Sequence, residues 1–324
     1  VVWKIKYDKK GVKWALVKVT EGRLKARSCI YMTDGTVYKA AEIRSLQGEK
    51  TTNIKEAVAG DICALSGINE LKTGDILGVC KIKRLPGKDP VLTSKAVTED
   101  NINDVYKCLK IMSDEITTLN AEKHGNEVII SVNGIVQLQV LPEIISERFG
   151  FNVTFEKPEV VYKETIAEPV MGYGHYEPLR HYSEVHFRLE PQERGSGISF
   201  ESQCSTDKFG KSWQNLVESH VFERKHRGIL IGAELVDIKV ILIAGKEHYL
   251  HTSGGDFREA TYRAIRQGLM KSKSILLEPV YKAEFKTESE LSGNVISRII
   301  QMGGRPEEQH IEEDSTCITA KVPV

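Results

Sequence analysis

The sequence lacks the features that mark a membrane protein or a secreted one. Its 324 residues contain no uninterrupted apolar run of about 18 residues and no N-terminal signal-peptide pattern. The six cysteines are scattered without any CxxC pair, which argues against a disulfide framework and against a zinc site. We therefore expect reduced thiols and a cytoplasmic protein with no membrane partner.

Motifs that carry common chemistry are also missing. No GxxxxGK[ST] phosphate-binding loop occurs, and no histidine pair stands at i, i+4 with an intervening Glu. Ser196 lies in GSG rather than GxSxG, and Ser253 precedes two glycines without a strand-to-helix elbow. We predict no catalytic, cofactor-binding or metal-binding residue here. An enzyme complete within these residues, such as a hydrolase that uses the histidine-rich segment, is the weaker hypothesis.

Charge is balanced overall but unevenly distributed. The chain has 45 basic and 45 acidic residues, yet residues 1–85 carry 17 Lys or Arg against 9 Asp or Glu, a net charge of +8. Residues 86–156 carry 6 against 11, a net charge of −5. A basic first segment can attract a polyanionic partner, but solvated lysines on strands are the commoner explanation of such a charge excess. Seven of the nine histidines lie in residues 157–274, which marks that segment as unusual.

Residues 1–85 have the pattern of short strands. Period-2 alternation occurs in VVWKIKYD, KWALVKVT, GTVYKAAEIRSL, DICALSGI and DILGVCKI. Many short strands joined by Gly-rich turns predict a small β-barrel. The turns Ala59-Gly60-Asp61, Gly67-Ile68 and Thr73-Gly74-Asp75 resemble those of the barrel domain that follows the nucleotide-binding domain in translational GTPases.

Residues 86–156 change to helical spacing. Ile102, Val105, Leu109 and Met112 recur on one helix face and are expected in the core. The pattern predicts helices at about 101–113 and 137–149, with strands at 127–132 and 151–155. Strands that alternate with helices over about 70 residues predict a ferredoxin-like α/β sandwich. The whole chain is thus expected to be a multidomain α+β protein.

The next residues strengthen a family resemblance. Pro158, Val160, Tyr162 and Glu164 form a Pro-x-Val-x-Tyr-x-Glu pattern that resembles the exit of the third domain of elongation factor G. Residues 157–274, with GYGHYEPLRHYSEVHFRLEP and WQNLVESHVFERKHRG, resemble the fourth domain, an α+β domain that enters the decoding region of the small ribosomal subunit. Residues 275–324, with LLEPVYKAEF, resemble the start of the ferredoxin-like fifth domain. GSGISFES and WQNLVES resemble the tetracycline-resistance ribosomal protection branch of the family.

The functional hypothesis rests mainly on the stretch Gly232–Arg266. A predicted apolar strand precedes the loop AGKEHYLHTSGGDF, and a predicted helix with Arg258, Arg263 and Arg266 follows it. Exposed rings can stack on RNA bases, and Arg can face phosphates. We predict RNA contact by loop residues Lys246, His248, Tyr249, Leu250, His251, Thr252 and Ser253, by Arg258, and by a second basic tip at Lys225, His226 and Arg227.

The resemblance implies the ribosome-binding body of a translation factor. In that interpretation the chain is a monomeric piece of a longer GTPase, with domains at 1–85, 86–156, 157–274 and a partial one at 275–324. GTP and Mg²⁺ would bind an N-terminal domain that these residues do not include, and the partner would be ribosomal RNA of the small-subunit decoding region. Two alternatives stay open: an interaction scaffold without an RNA partner, and a tetracycline-resistance protein proper.

Overall fold

A computed structural model describes residues 1–8, 10–32, 35–48, 50–78, 89–312 and 314–324. The chain divides into two compact units, Val1–Glu159 and Val160–Val324. Within the described residues, no helix combines the length and the apolar composition needed to cross a membrane. Five cysteines of this part are free thiols, and Cys80 lies outside it.

The first unit begins with short strands around one core. Their bounds are β1 (Val2–Tyr7), β2 (Lys13–Lys18), β3 (Arg23–Lys25), β4 (Cys29–Tyr31), β5 (Val37–Lys39), β6 (Ile43–Gln47), β7 (Lys50–Ile54), β8 (Glu56–Val58) and β9 (Ile62–Leu65). One sheet has the order β1-β2-β9-β6-β7, while β3-β8 and β4-β5 form two-stranded ribbons. Buried Ile5, Val17, Ile43 and Leu65 pack together in the centre.

Two of the predicted strands differ from the structure. GTVYKAAEIRSL forms two strands, because β5 pairs with β4 whereas β6 pairs with β7 and β9. In DILGVCKI the described part, 75–78, is not a strand. The carbonyl of Asp75 accepts the N–H of Val2 (2.9 Å), and its carboxylate accepts the N–H of Lys72 (2.7 Å), so this segment forms a turn against β1. The remainder of that predicted strand lies outside the described residues.

The rest of the first unit has the element order βαββαβ. The elements are β10 (Leu92–Val97), α1 (Ile102–Glu115), β11 (Asn120–His124), β12 (Glu127–Val132), α2 (Ile135–Phe149) and β13 (Thr154–Phe155), followed by the short β14 (Glu159–Val160). The antiparallel sheet has the order β11-β12-β10-β13. Asn101 caps α1 by accepting the N–H of Asn103, and Val105, Leu109 and Met112 are buried as predicted. Both predicted helices and the strand at 127–132 are confirmed, whereas the strand predicted at 151–155 is limited to β13. Strands β10 and β11 were not predicted.

Polar contacts tie the strands of the first unit to α1. The Asp114 carboxylate accepts the Tyr7 hydroxyl (2.6 Å) and the Lys13 ammonium (2.8 Å). The Glu115 carboxylate accepts a hydrogen bond from the Tyr7 N–H (2.8 Å) and bidentate hydrogen bonds from the Arg148 guanidinium. Hydrogen bonds from Lys13 and Tyr7 lower the pKa of Asp114 although burial acts to raise it.

The second unit holds the candidate interface. Its elements are β15 (Lys163–Ile166), β16 (Val170–Tyr176), β17 (Ser183–Pro191), β18 (Ile198–Ser202), α3 (Lys211–Phe222), β19 (Glu234–Leu235), β20 (Ile238–Glu247), α4 (Gly254–Lys271), β21 (Ser274–Leu277), β22 (Val280–Glu288), α5 (Ser292–Gln301), β23 (Arg305–Glu312) and β24 (Ser315–Pro323). Three sheets result, with orders β16-β17-β20-β18, β19-β15-β21 and β22-β24-β23. The apolar faces of the four-stranded sheet, α3 and α4 share one core that includes Phe187, Phe209, Val217 and Phe257.

Candidate nucleic-acid interface

The tip loop, defined as residues 246–253, comprises the last two residues of β20 and the connection from β20 to α4. It is shorter than the predicted loop, because Gly245–Glu247 still pair with β17 and the helix already begins at Gly254. The Ser253 N–H donates to the Asp256 carboxylate (2.7 Å), which satisfies a backbone donor at the start of α4. The chain therefore turns between a strand and a helix within a short segment.

Backbone and hydroxyl bonds fix the turn. The N–H groups of His251 and Thr252 both donate to the His248 carbonyl (3.1 Å each). The His248 N–H donates to Thr252 Oγ1 (2.7 Å), and that hydroxyl donates to the Tyr182 carbonyl (2.6 Å). Thr252 is thus a positioning residue of the tip loop, and its side chain is engaged within the protein.

Three rings lie on the surface of this turn. His248 stacks on His251, with centroids 4.7 Å apart and planes at 16°, and on Tyr249, with centroids 5.0 Å apart and planes at 25°. Tyr249 is 88% exposed and Leu250 is 67% exposed. His251 and Ser253 are exposed as well, whereas His248 is half-buried. The loop therefore offers a stack of flat rings beside an apolar side chain.

The predicted cations near the tip loop differ in whether their charged groups are already bonded to other groups of the protein. Lys246 lies with Nζ 5.8 Å from the centre of the Tyr182 ring, and its side chain is exposed. Arg258 is also exposed, but its Nε donates to the Glu223 carboxylate (2.7 Å). Arg263 donates to the His175 carbonyl (3.0 Å). Arg258 and Arg263 are thus already bonded to protein groups.

The predicted second basic tip lies after α3 and is only partly at the surface. Lys225 is exposed and pairs with Glu234 (3.0 Å), and exposed Arg227 donates to the Gly232 carbonyl (3.2 Å). His226 is buried instead, 3% exposed, with its Nε2 against the Val221 carbonyl at 2.9 Å. Burial lowers the pKa of His226, so its ring is a neutral interior group rather than a surface cation.

A neighbouring loop, residues 177–182 between β16 and β17, is hydrogen-bonded to the tip loop. The Tyr182 N–H donates to the His251 carbonyl (2.8 Å), and His181 Nδ1 lies 2.8 Å from the Asp256 carboxylate. Leu179 is 90% exposed, and His181, Tyr182, His248 and His251 help to line one shallow depression. No role was predicted from the sequence for residues 177–182 of the neighbouring loop. The segment EPLRHY suggests a turn, but its place beside the tip loop follows from the Ser183–Glu247 pairing, which no local pattern reveals.

Carboxylates hold the surrounding polar groups in fixed positions. Glu184 accepts from the Tyr182 hydroxyl (3.0 Å) and lies 2.7 Å from His186 Nε2. Burial acts to raise the pKa of Glu184, but these contacts outweigh it and the pKa is lowered. Burial and the bond to Glu184 raise the pKa of Tyr182, so its hydroxyl stays protonated. In the described part of the chain, no group of three or more His, Cys, Asp or Glu side chains is arranged to hold a metal ion.

Comparison with family models identifies two regions of the chain. Residues 1–80 match the model of elongation factor G domain 2, and residues 158–273 match that of elongation factor G, domain IV. The tip loop and the neighbouring loop lie within the second match. Together the two matches cover more than half of the 324 residues.

Curated relatives match over the full length of this chain. The tetracycline resistance protein TetP of Clostridium perfringens is 26% identical over 339 residues, and elongation factor G of Thermotoga maritima is 28% identical over 341 residues. Both alignments cover 100% of this chain, which spans about half of each relative, 51% and 49% respectively.

A solved structure from Thermus thermophilus has a similar fold, with a TM-score of 0.58 and 24% identity. It covers 100% of this chain, which covers 50% of that protein. The chain therefore belongs to the family that includes elongation factor G and the tetracycline resistance protein TetP.

Proposed function

We propose that this chain is the ribosome-binding body of a translation factor and that the tip loop contacts ribosomal RNA. The observation that carries the proposal is the stack of half-buried His248 with exposed Tyr249 and His251, within the region that matches elongation factor G, domain IV. Flat rings held by hydrogen bonds suit unpaired RNA bases, because stacking on aromatic or imidazole rings is a common mode of RNA recognition.

The contact surface that we propose differs from the predicted residue set. It consists of Lys246, His248, Tyr249, Leu250 and His251, with a separate basic patch of Arg227 and Lys225, whose side chain stays 80% exposed although it pairs with Glu234. Thr252 and Ser253 shape the loop, Arg258 is paired with Glu223, and His226 belongs to the interior. Leu179 and Tyr182 of the neighbouring loop extend the surface.

The proposal includes a domain assignment. Residues 1–85 form a domain II-like barrel, and residues 86–156 form a domain III-like ferredoxin fold, supported by the element order βαββαβ. Residues 157–274 form a domain IV-like α+β domain, and residues 275–324 form part of a domain V-like ferredoxin fold. We propose that the protein is cytoplasmic and monomeric, and that GTP and Mg²⁺ bind a part of the longer protein outside these residues.

Ribosome co-sedimentation of the wild-type chain and the His248→Ala/Tyr249→Ala/His251→Ala variant tests the RNA contact. Loss of the stacking surface is expected to weaken binding by at least about tenfold, with unchanged circular dichroism. A matched control replaces Tyr31, His124 and His310, which are exposed elsewhere, and should bind like wild type. Equal affinity of the tip variant and wild type would contradict the assignment.

Two further arms of this experiment separate the alternatives. Phosphate contacts predict that binding weakens steeply as salt increases, whereas a scaffold without an RNA partner would not co-sediment with ribosomes. The similarity to TetP motivates repeating the assay with tetracycline. Release of the bound drug by the longer protein would support a resistance role, and unchanged drug occupancy would favour the elongation factor G-like role.

A further inference from the structure

One hydrogen bond within the tip loop depends on an acceptor that only an unprotonated imidazole nitrogen provides. The Leu250 N–H points to His248 Nδ1 at 3.3 Å. A neutral imidazole with its proton on Nε2 accepts this bond, whereas an imidazolium carries protons on both nitrogens and accepts none. This bond lies within the turn that exposes Tyr249 and Leu250, and it is additional to the main-chain bonds that the His248 carbonyl accepts.

The ring stack has the same dependence on charge. His248 and His251 are nearly parallel with their centroids 4.7 Å apart. Two neutral rings tolerate this arrangement, but two imidazolium rings would repel each other as like charges do at short range. Protonation therefore acts against two contacts of the His248 ring, the bond from Leu250 and the stack on His251. The stack of the His248 ring on Tyr249 and its edge contact with Tyr182 do not require an unprotonated nitrogen.

Groups from three elements surround these rings. Lys246 and Glu247 precede His248 on β20, and the neighbouring loop contributes Glu177, Arg180, His181 and Tyr182, while Asp256 comes from α4. The carboxylates of the two packed elements are already paired: Glu177 lies 2.8 Å from His175 Nε2, and Asp256 bonds His181 and the Ser253 N–H. Glu184, which accepts from Tyr182, also pairs with His186. Hence these carboxylates have partners other than His248.

We propose that the tip loop is a pH-responsive element. Neutral His248 accepts the Leu250 N–H, and its protonation releases that N–H and separates the His248 and His251 rings. The change is confined to 248–251, because the contacts of Thr252 and Asp256 use the His248 main chain, Tyr182 and Ser253 but not the His248 ring. The proposal concerns the loop itself and does not depend on what the loop contacts.

Histidine and leucine ¹⁵N NMR of the full chain between pH 8 and pH 5 tests the proposal. The His248 Nδ1 signal should change from an unprotonated acceptor to a protonated nitrogen. The Leu250 amide signal should follow with the same midpoint, and its protection against hydrogen exchange, corrected for intrinsic rates, should fall by about fivefold.

Two variants complete the test. In His248→Gln the side-chain carbonyl can accept the Leu250 N–H but does not titrate, so the Leu250 amide should become independent of pH. In His251→Gln the second charge is removed while the Leu250 bond to His248 stays, so the response of the Leu250 amide should persist. The proposal is overturned if the Leu250 amide does not follow His248 titration, or if His248→Gln keeps the wild-type pH response.

Discussion

Glu164 shows at the residue scale how a buried carboxylate can shape a distant part of the chain. The side chain is fully buried and accepts the N–H groups of Leu230 (2.8 Å), Ile231 (3.0 Å) and Ala233 (3.0 Å). These backbone bonds outweigh burial and lower the pKa of Glu164, so the group is a carboxylate at neutral pH. Glu164 matched the family pattern in the sequence, but its partners lie far along the chain.

Replacing Glu164 by Gln should destabilise the second unit. The Gln side chain has one acceptor oxygen, and its NH₂ group would face backbone donors. We expect the free energy of unfolding to fall by about 2 to 4 kcal/mol, the range for a broken buried charged network. Urea denaturation measures this change. Exposed Glu168→Gln is the control and should stay within about 0.5 kcal/mol of wild type; a similar small effect at Glu164 would refute the role of the carboxylate.

Glu223 predicts a pH dependence of stability. Its carboxylate accepts from the Tyr262 hydroxyl and Arg258 Nε and contacts His220 Nδ1, and these contacts lower its pKa from 4.5 to about 2 against the opposing effect of burial. A carboxyl with a lowered pKa stabilises the fold fully above its unfolded pKa and loses that contribution as pH falls through the folded value. The contribution should therefore be complete above about pH 4.5 and decline towards pH 2.

The measurement compares wild type with Glu223→Gln by urea denaturation from about pH 7 down to about pH 2.5. The variant should be less stable at neutral pH by about 1 kcal/mol, a modest value because the group is partly exposed. The difference should shrink below about pH 4.5. Glu193→Gln, at an exposed site, provides the matched control. A difference between wild type and Glu223→Gln that is constant over this pH range would rule out the linkage.

At the residue scale, the sequence predicted which side chains are exposed better than it predicted which groups they contact. Tyr249 and Leu250 are exposed, as a polar turn between a strand and a helix suggested. Arg258 and His226 fit the same pattern of basic surface residues, yet one is paired with Glu223 and the other is buried. Which partner a side chain meets depends on how α3 packs on α4, and residue types alone do not encode that contact.

At the scale of elements, close contact between β16 and α4 supports the tip loop. A Cβ added at Gly174 would lie 1.8 Å from the Ala260 carbonyl oxygen, and one at Gly172 would lie 2.2 Å from that of Ala264. Neither gap accommodates a methyl group, so the strand reaches the helix only because both positions are glycine. The helix that leaves the tip loop is thereby held directly against the sheet.

Gly174→Ala should force α4 away from β16. We expect a loss of about 3 kcal/mol or more in the free energy of unfolding, because backbone atoms cannot yield without moving the helix. Gly255→Ala is the comparison, since its Cβ would meet nothing within 4 Å in the same helix. That change should be neutral or stabilise by up to about 1 kcal/mol. Thermal denaturation of both variants measures the contrast, and equal effects would contradict the packing argument.

Helices and strands were predicted best where the apolar residues of the sequence recur with a clear period. Helix α1 and strand β12 have clear apolar repeats and were predicted within two residues. The three-residue strands β3, β4 and β8 are too short to show a period, and they exist because a partner strand lies beside them. β20 extends into Gly245–Glu247 for the same reason, through its pairing with β17.

At the scale of the whole molecule, ordered motifs carried more information than composition. Net charge, cysteine spacing and hydropathy excluded classes of protein, but they did not indicate a function. Matches at 1–80 and 158–273 confirm the family resemblance that the motifs suggested. The contact between the tip loop and the neighbouring loop could not be anticipated in this way, because it joins segments distant in sequence through main-chain atoms.

A cryo-electron microscopy map of the chain bound to ribosomes tests the central claim most directly. The account predicts density for residues 246–253 against ribosomal RNA, with the ring of Tyr249 or His251 stacked on a base. The His248→Ala/Tyr249→Ala/His251→Ala variant, at equal concentration, should show markedly lower occupancy. A map in which the chain binds through other surfaces while the tip loop faces solvent would contradict the account.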